Sequence, residues 1–122
     1  MTKKKYITIL AYLFYILTIL FLFKIRIIMV NGQSMYPTLK DKQICVAWNT
    51  DKINDGDVVV VDVKNTNLPT SYIVKRFYED KSNEHLIWVE GDNKTNSLDS
   101  RSFGPLERNK VMCKVIFPFL SK

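Results

Sequence analysis

The sequence has little of the chemistry that metal and nucleotide sites require. It contains a single histidine, His85, with no cysteine, aspartate or glutamate at metal-ligand spacing, so we expect no zinc or other metal site. Its four glycines do not form the glycine-rich loop that cradles a phosphate. We therefore expect no cofactor.

Cysteine and basic clusters are also scarce. The two cysteines, Cys45 and Cys113, fit either two buried, reduced side chains or, outside the cytoplasm, one disulfide.

The formal net charge of +6 could suit nucleic acid or an anionic membrane surface. Apart from Lys3–Lys5, however, the basic residues are scattered, so we expect no nucleic-acid partner. A chain of 122 residues has room for one small domain and an anchor.

What the sequence does contain is a long apolar run near its start. Residues 6–23 read YITILAYLFYILTILFLF, 18 residues without a charge, and apolar residues continue to Val30. Such a run can cross a bilayer core of about 30 Å. No small-residue exit such as Ala-x-Ala follows, so we expect an uncleaved transmembrane anchor in the lipid bilayer. Lys3–Lys5 favour a cytoplasmic segment 1–5, with residues 24–122 on the extracytoplasmic side of the cell membrane.

The remaining sequence alternates short β-branched runs with turn-forming residues. The runs cover residues 43–48, 57–63, 71–78, 85–91 and 110–117. Asparagine, aspartate, glycine and proline separate them, which is typical of strands and not of helices. We predict an all-β fold for residues 24–122, a small coiled antiparallel β-barrel or sandwich behind one transmembrane helix.

Three segments carry candidate catalytic residues, and the first surrounds Ser34. Gly32 permits close backbone approach and Pro37 stiffens the exit of the turn. Ser34 would then sit on a fixed turn with its backbone N–H directed at a substrate carbonyl. Taken alone, such a turn fits a structural role as well as a catalytic one.

The second segment places Lys75 in the apolar strand 71–78. Burial favours the neutral amine and lowers a lysine pKa from about 10.4, and a neutral lysine can take a proton from a serine hydroxyl. A serine–lysine pair is a known alternative to serine–histidine. The strand by itself fits an outward-facing lysine at least as well.

The third segment runs from Gly91 to Gly104. Asp99 and Arg101 can form a surface ion pair that holds a loop, and Ser97 can hydrogen-bond a neutral lysine amine. A simple polar turn is the alternative interpretation.

Together these segments resemble the type I signal peptidases, in their short form typical of many Gram-positive bacteria. The matching positions are Gly32, Ser34, Met35, Pro37 and Thr38; Gly56 and Asp57 before a valine run; Tyr72, Lys75 and Arg76; and each fixed position of the box from Gly91 to Gly104. The four motifs occur in the family's order and cover nearly the whole chain beyond the anchor.

The resemblance implies a role for each residue. Ser34 attacks the scissile carbonyl, Lys75 acts as general base and later as general acid, and Ser97 orients Lys75. The backbone N–H of Ser34 contributes to the oxyanion hole, while Gly32 stands where some members have a serine donor. Met35, Pro37, Asp99 and Arg101 support the site, and Met29, Val30, Tyr36 and Val74 are candidates for the substrate lining.

The implied function is a membrane-bound serine endopeptidase that removes signal peptides from exported precursor proteins. Substrates of the family bind extended beside the strands that flank the site, with small pockets for Ala-x-Ala. The segment between Arg76 and Gly91 is short, so we expect the accessory cap domain of larger members to be absent. The alternatives are a dedicated processing peptidase for one pilin, peptide or conjugation substrate, a self-cleaving repressor-type protease, and an inactive binding domain.

Overall fold

The computed structural model describes residues 1–118 and 120. In chain order the elements are α1 (Lys3–Lys24), β1 (Ile25–Met29), β2 (Ile44–Trp48), β3 (Val58–Asp62), β4 (Tyr72–Glu79), β5 (Leu86–Glu90), α2 (Ser100–Phe103), β6 (Leu106–Glu107), a 3₁₀ turn (Arg108–Lys110) and β7 (Val111–Phe117). The five strands predicted from the β-branched runs are confirmed, each within one residue of its expected bounds. The all-β fold class behind one apolar helix is confirmed as well.

Helix α1 is apolar on all sides and none of its residues is buried in the protein. Its 22 residues span about 33 Å, and with a mean hydropathy of 2.3 it is long and apolar enough to cross a membrane. Thr2 caps its first turn by accepting a hydrogen bond from the Lys5 N–H. The helix ends at Lys24 although the apolar run continues. Ile25 is already extended, because the β-branched residues that follow pair with β2 as strand β1.

The strands form one antiparallel sheet that curls into a half-barrel. Their order is β1-β2-β7-β3-β4-β5-β6, which leaves β1 and β6 at the two edges. The register shifts between Val46 and Ala47 and again between Val60 and Val61, in both cases opposite β7. Such irregularities bend the bulged strand and increase its twist, which supports the curl.

Two hydrophobic clusters occupy the two faces of the sheet. Strand β3 contributes to both, with Val58 and Val60 in one cluster and Val59 and Val61 in the other. Burial on both faces accounts for its continuous run of valines. Cys45 and Cys113 are free and buried, which corresponds to the reduced alternative and not to the disulfide.

We expect Phe77→Ala to destabilise the fold strongly. The Phe77 ring is fully buried in the second cluster, and removing such a ring leaves a cavity worth about 3–5 kcal/mol. Chemical denaturation in detergent, followed by tryptophan fluorescence, measures the change in the free energy of unfolding. The control Leu98→Ala removes a side chain that is 53% exposed and should change that energy by about 0.5 kcal/mol or less. Equal losses for the two variants would contradict this assignment of the core.

Candidate active site

The site begins with the turn between β1 and β2. Gly32 has φ +88° and no atom within 4 Å of where a Cβ would lie. The sequence suggested that glycine allows close approach of the backbone here, but within the protein the turn needs glycine for its positive φ. The Gly32 N–H donates to Asp41 Oδ1 at 2.7 Å. Met35 and Leu39 are fully buried beneath the turn, and Pro37 lies exposed at its surface.

Asn93 holds this turn from a second loop. Its backbone N–H donates to the Ser34 carbonyl at 2.8 Å, and its side-chain Nδ2 donates to the Gln33 carbonyl at 3.0 Å. Within residues 1–118 and 120, the Ser34 N–H has no acceptor. That donor is therefore available to an oxygen of a bound ligand.

Lys75 reaches Ser34 from the middle of β4. It lies opposite Val59 of β3, just before β4 begins to pair with β5 at Arg76. Its Nζ is 2.5 Å from Ser34 Oγ and the residue is 5% exposed. Burial lowers the pKa of Lys75 from 10.5 to about 8, against the opposing effect of the Asp99 carboxylate. An amine with this pKa is partly neutral near pH 7 and can accept a hydroxyl proton.

The Asp99 carboxylate is buried beside Ser34 and Lys75 and holds the surrounding loop through hydrogen bonds. Burial favours its neutral form, but hydrogen bonds from Arg101, the Gly91 N–H and Ser97 hold the pKa of Asp99 well below its usual range. The Asp99 carboxylate is fully buried, so its pairing with Arg101 (3.0 Å) is not the surface ion pair expected from the sequence. Ser97 donates its hydroxyl hydrogen to Asp99 at 2.7 Å. The structure records no hydrogen bond between Ser97 and Lys75, whose amine contacts Ser34, so the orienting role of Ser97 stays a prediction.

Gly91 is where the loop after β5 meets the turn that contains Ser34. A Cβ placed on Gly91 would lie 2.1 Å from Ser97 Oγ and 2.5 Å from the Ser34 carbonyl oxygen. Only a residue without a side chain fits between them. The sequence identified Gly91 as a motif position without a role.

A second ion pair joins the strand of Lys75 to the turn of Ser34. Arg76 donates to Asp92 through Nε at 2.9 Å and through Nη2 at 2.6 Å. Asp92 also accepts from Thr38 Oγ1 at 2.5 Å, and Arg76 donates to the Gly56 carbonyl at 2.8 Å. The hydrogen bonds from Arg76 lower the pKa of Asp92. The sequence analysis assigned none of these contacts. The signal that could have revealed them is Arg76 itself, because an arginine in a buried strand requires a carboxylate partner.

A cleft of about 250 Å³ opens at the Ser34–Lys75 pair. Its lining comprises Val30, Asn31, Gly32, Gln33, Ser34, Leu68, Pro69, Thr70, Tyr72, Ile73, Val74, Lys75, Asn96 and Leu98. Of the four expected lining residues, Val30 and Val74 are present, whereas Met29 and Tyr36 are 42% and 49% exposed and lie outside it. A larger cleft of about 700 Å³ near His85 contains neither Ser34 nor Lys75.

Comparison with known proteins identifies the family of this chain. Residues 16–116 match the Peptidase S24-like family, and the chain belongs to that family. The human mitochondrial inner membrane protease subunit 1 is 30% identical over 113 residues, covering 75% of this chain and 67% of that protein. Subunit 2 of the same protease from Schizosaccharomyces pombe is 30% identical over 117 residues, covering 74% and 63%. The signal peptidase complex catalytic subunit SEC11 of Clavispora lusitaniae is 33% identical over 84 residues, covering 68% and 49%.

These relatives confirm the resemblance to signal peptidases. The chain is a signal-peptidase-like protease, and its relatives are named as proteases of a membrane or of the signal peptidase complex. The match spans between about half and two thirds of their length.

We expect Gly91→Ala to lower kcat/KM by about a hundredfold with the fold retained. The added methyl group must push the Ser34 turn or Ser97 away, and a displacement of about 1 Å at a catalytic group costs about that much rate. Peptide cleavage and circular dichroism of the purified variant measure the two effects. Ser102→Ala, an exposed change in the same segment, serves as the control and should leave the rate unaltered. A Gly91→Ala protein with full activity would show that the close contact is not needed.

Proposed function

We propose that this chain is a membrane-anchored serine endopeptidase of the type I signal peptidase kind. It removes signal peptides from exported precursor proteins, with Ser34 as nucleophile and Lys75 as general base. The observation that supports this most directly is the 2.5 Å contact between Ser34 Oγ and Lys75 Nζ. The amine has a pKa of about 8, so its neutral form is accessible near physiological pH.

The geometry supports a two-step hydrolysis. Neutral Lys75 takes the hydroxyl proton as Ser34 Oγ attacks the scissile carbonyl, and the resulting ammonium returns that proton to the leaving amine. Water then attacks the acyl-ester with Lys75 again as base. The Ser34 N–H, which has no acceptor within residues 1–118 and 120, would donate to the developing oxyanion. A donor in that position is worth about 3–4 kcal/mol of transition-state stabilisation. Ser97 positions the lysine amine, and Asp99 with Arg101 holds Ser97.

Substrate would bind as an added strand. The first residues of β4 pair with β3 on one side, and pairing with β5 begins only at Arg76. The edge before Arg76 is therefore open to an extended peptide. Val30 and Val74 border this part of the cleft, and a volume of about 250 Å³ shared among several residues suits small side chains such as those of Ala-x-Ala.

The anchor determines where the enzyme acts. We place residues 1–5 in the cytoplasm, residues 6–23 across the cell membrane as a single span, and the catalytic domain 24–122 on the extracytoplasmic side. The support is the positive cluster Lys3–Lys5 before an unburied apolar helix. The partners are then the bilayer and signal-peptide-bearing precursors.

A dedicated processing peptidase for one pilin, peptide or conjugation substrate is the second candidate. It is favoured by the short connection between β4 and β5, from Glu79 to Leu86, which leaves no room for an accessory domain. An inactive binding domain has less support, since Ser34 and Lys75 are both present and in contact.

We expect Ser34→Ala and Lys75→Ala each to lower kcat at least about a thousandfold, because the two residues act as a unit. The assay is cleavage after Ala-x-Ala in a model preprotein by the detergent-solubilised chain. Ser102→Ala and Lys81→Ala, at exposed positions, are the matched controls. Turnover by purified Lys75→Ala would refute the serine–lysine pair. A folded wild-type chain that leaves the preprotein intact would favour the dedicated enzyme.

We expect kcat/KM to rise about tenfold per pH unit below pH 8 and to level off above it. The base must be neutral, and lowering the pH through a lysine pKa of about 8 protonates it. Initial rates on one peptide between pH 5 and 9 test this, with stability confirmed across the range. A flat profile would be incompatible with a lysine base.

A further inference from the structure

One hydrogen bond joins the two strands that lead to Ser34 and Lys75. The Tyr72 hydroxyl, at the start of β4, donates to the Met29 carbonyl, at the end of β1, at 2.9 Å. The two residues are 43 positions apart. The Ser34–Lys75 contact joins the same two segments further along the chain. We call the Tyr72–Met29 hydrogen bond the clasp.

The acceptor of the clasp is a carbonyl on an open sheet edge. Strand β1 is an edge strand that pairs only with β2. The N–H of Val30 donates to Gln43 and the carbonyl of Val30 accepts from Lys42, so both polar groups of Val30 face β2. Because backbone groups alternate along an antiparallel strand, the Met29 carbonyl faces away from β2. A peptide that added itself to this edge would use that acceptor, and Tyr72 already occupies it.

The clasp lies close to the catalytic pair. Tyr72 precedes Lys75 by three residues on one strand, a distance of about 10 Å. Both segments lead toward Ser34 and Lys75, and Tyr72 is among the residues that line the cleft. The space between the clasp and the catalytic pair therefore matches about three extended residues of a substrate.

We propose that Tyr72 is a specificity-determining residue, whose clasp limits strand pairing with substrate to about three residues on the acyl side of the scissile bond. This inference rests on the proposed peptidase function and specifies its substrate class. The enzyme binds an extended tripeptide such as Ala-x-Ala by strand pairing. Substrate residues that precede the tripeptide leave the cleft without pairing with β1. Removing the Tyr72 hydroxyl frees the Met29 carbonyl and increases the number of substrate residues that can pair with β1.

Two peptides and three proteins test the clasp. The short peptide carries Ala-Ser-Ala before the scissile bond, and the long peptide adds three residues before that tripeptide; both have the same leaving side. The proteins are wild type, Tyr72→Phe and the control Tyr78→Phe. Tyr78 lies on the same strand, and its hydroxyl has no hydrogen-bond partner among the residues that the structure describes. Both variants keep the aromatic ring, so each differs from wild type only by the loss of one hydroxyl.

We expect wild type and Tyr78→Phe to have the same KM for both peptides. Tyr72→Phe should lower KM for the long peptide by about threefold to tenfold, the worth of one backbone hydrogen bond, with kcat unchanged. Its KM for the short peptide should not fall with it, so the ratio of the long-peptide KM to the short-peptide KM decreases. A wild-type enzyme that already prefers the long peptide, or a Tyr72→Phe effect equal for both lengths or absent, would overturn the clasp.

A binding measurement separates this inference from the proposed function. Fluorescence polarisation with Ser34→Ala and Ser34→Ala/Tyr72→Phe gives the Kd of both labelled peptides without turnover. The predicted length pattern in Kd, with no cleavage by wild type, would support the clasp and refute the peptidase assignment. Cleavage without that pattern would refute the clasp alone. Absence of both cleavage and binding would refute both.

Discussion

The site depends on the removal of one lysine amine from water. Lys75 is almost fully buried and contacts Ser34 Oγ, so its ammonium form loses hydration that the surroundings only partly replace. The nearby Asp99 carboxylate would favour that ammonium. Asp99, however, is already saturated by Arg101, Ser97 and the Gly91 N–H. The burial of Lys75 therefore outweighs the charge of Asp99, and the amine becomes a usable base.

Two carboxylates, the half-buried Asp92 and the fully buried Asp99, organise the loop that follows β5. Asp92 is held by Arg76 of β4, and Asp99 is held by Arg101 of α2. Between them the loop contacts the turn that contains Ser34 through Asn93. Removing one partner of a buried pair leaves an uncompensated charge. The spacing of Ser34 and Lys75 thus depends on ion pairs in which neither residue takes part.

The strands were predictable because each β-branched run is bounded by turn residues, and Ser34 and Lys75 were identified through ordered motifs. Strand β1 was not predicted, because Ile25–Met29, apart from Arg26, continues the apolar run of the helix before it. Only pairing with β2 separates the two. The fit of Gly91 against Ser34 and the bond from Thr38 to Asp92 were also missed. Both join segments more than fifty residues apart, and local pattern carries no signal for such contacts.

The junction of helix and sheet has a consequence for which bonds can be cut. Helix α1 ends at Lys24 and β1 begins at Ile25, with no linker between them. The Lys24 carbonyl accepts from the Asn49 N–H at 2.7 Å, and the rings of Phe21 and Trp48 lie 5.3 Å apart. With α1 in the bilayer, the five residues of β1 keep the start of the Ser34 turn within about 17 Å of the end of the helix. Under the proposed peptidase function, a susceptible tripeptide presented farther from the bilayer surface would escape hydrolysis whatever its side chains.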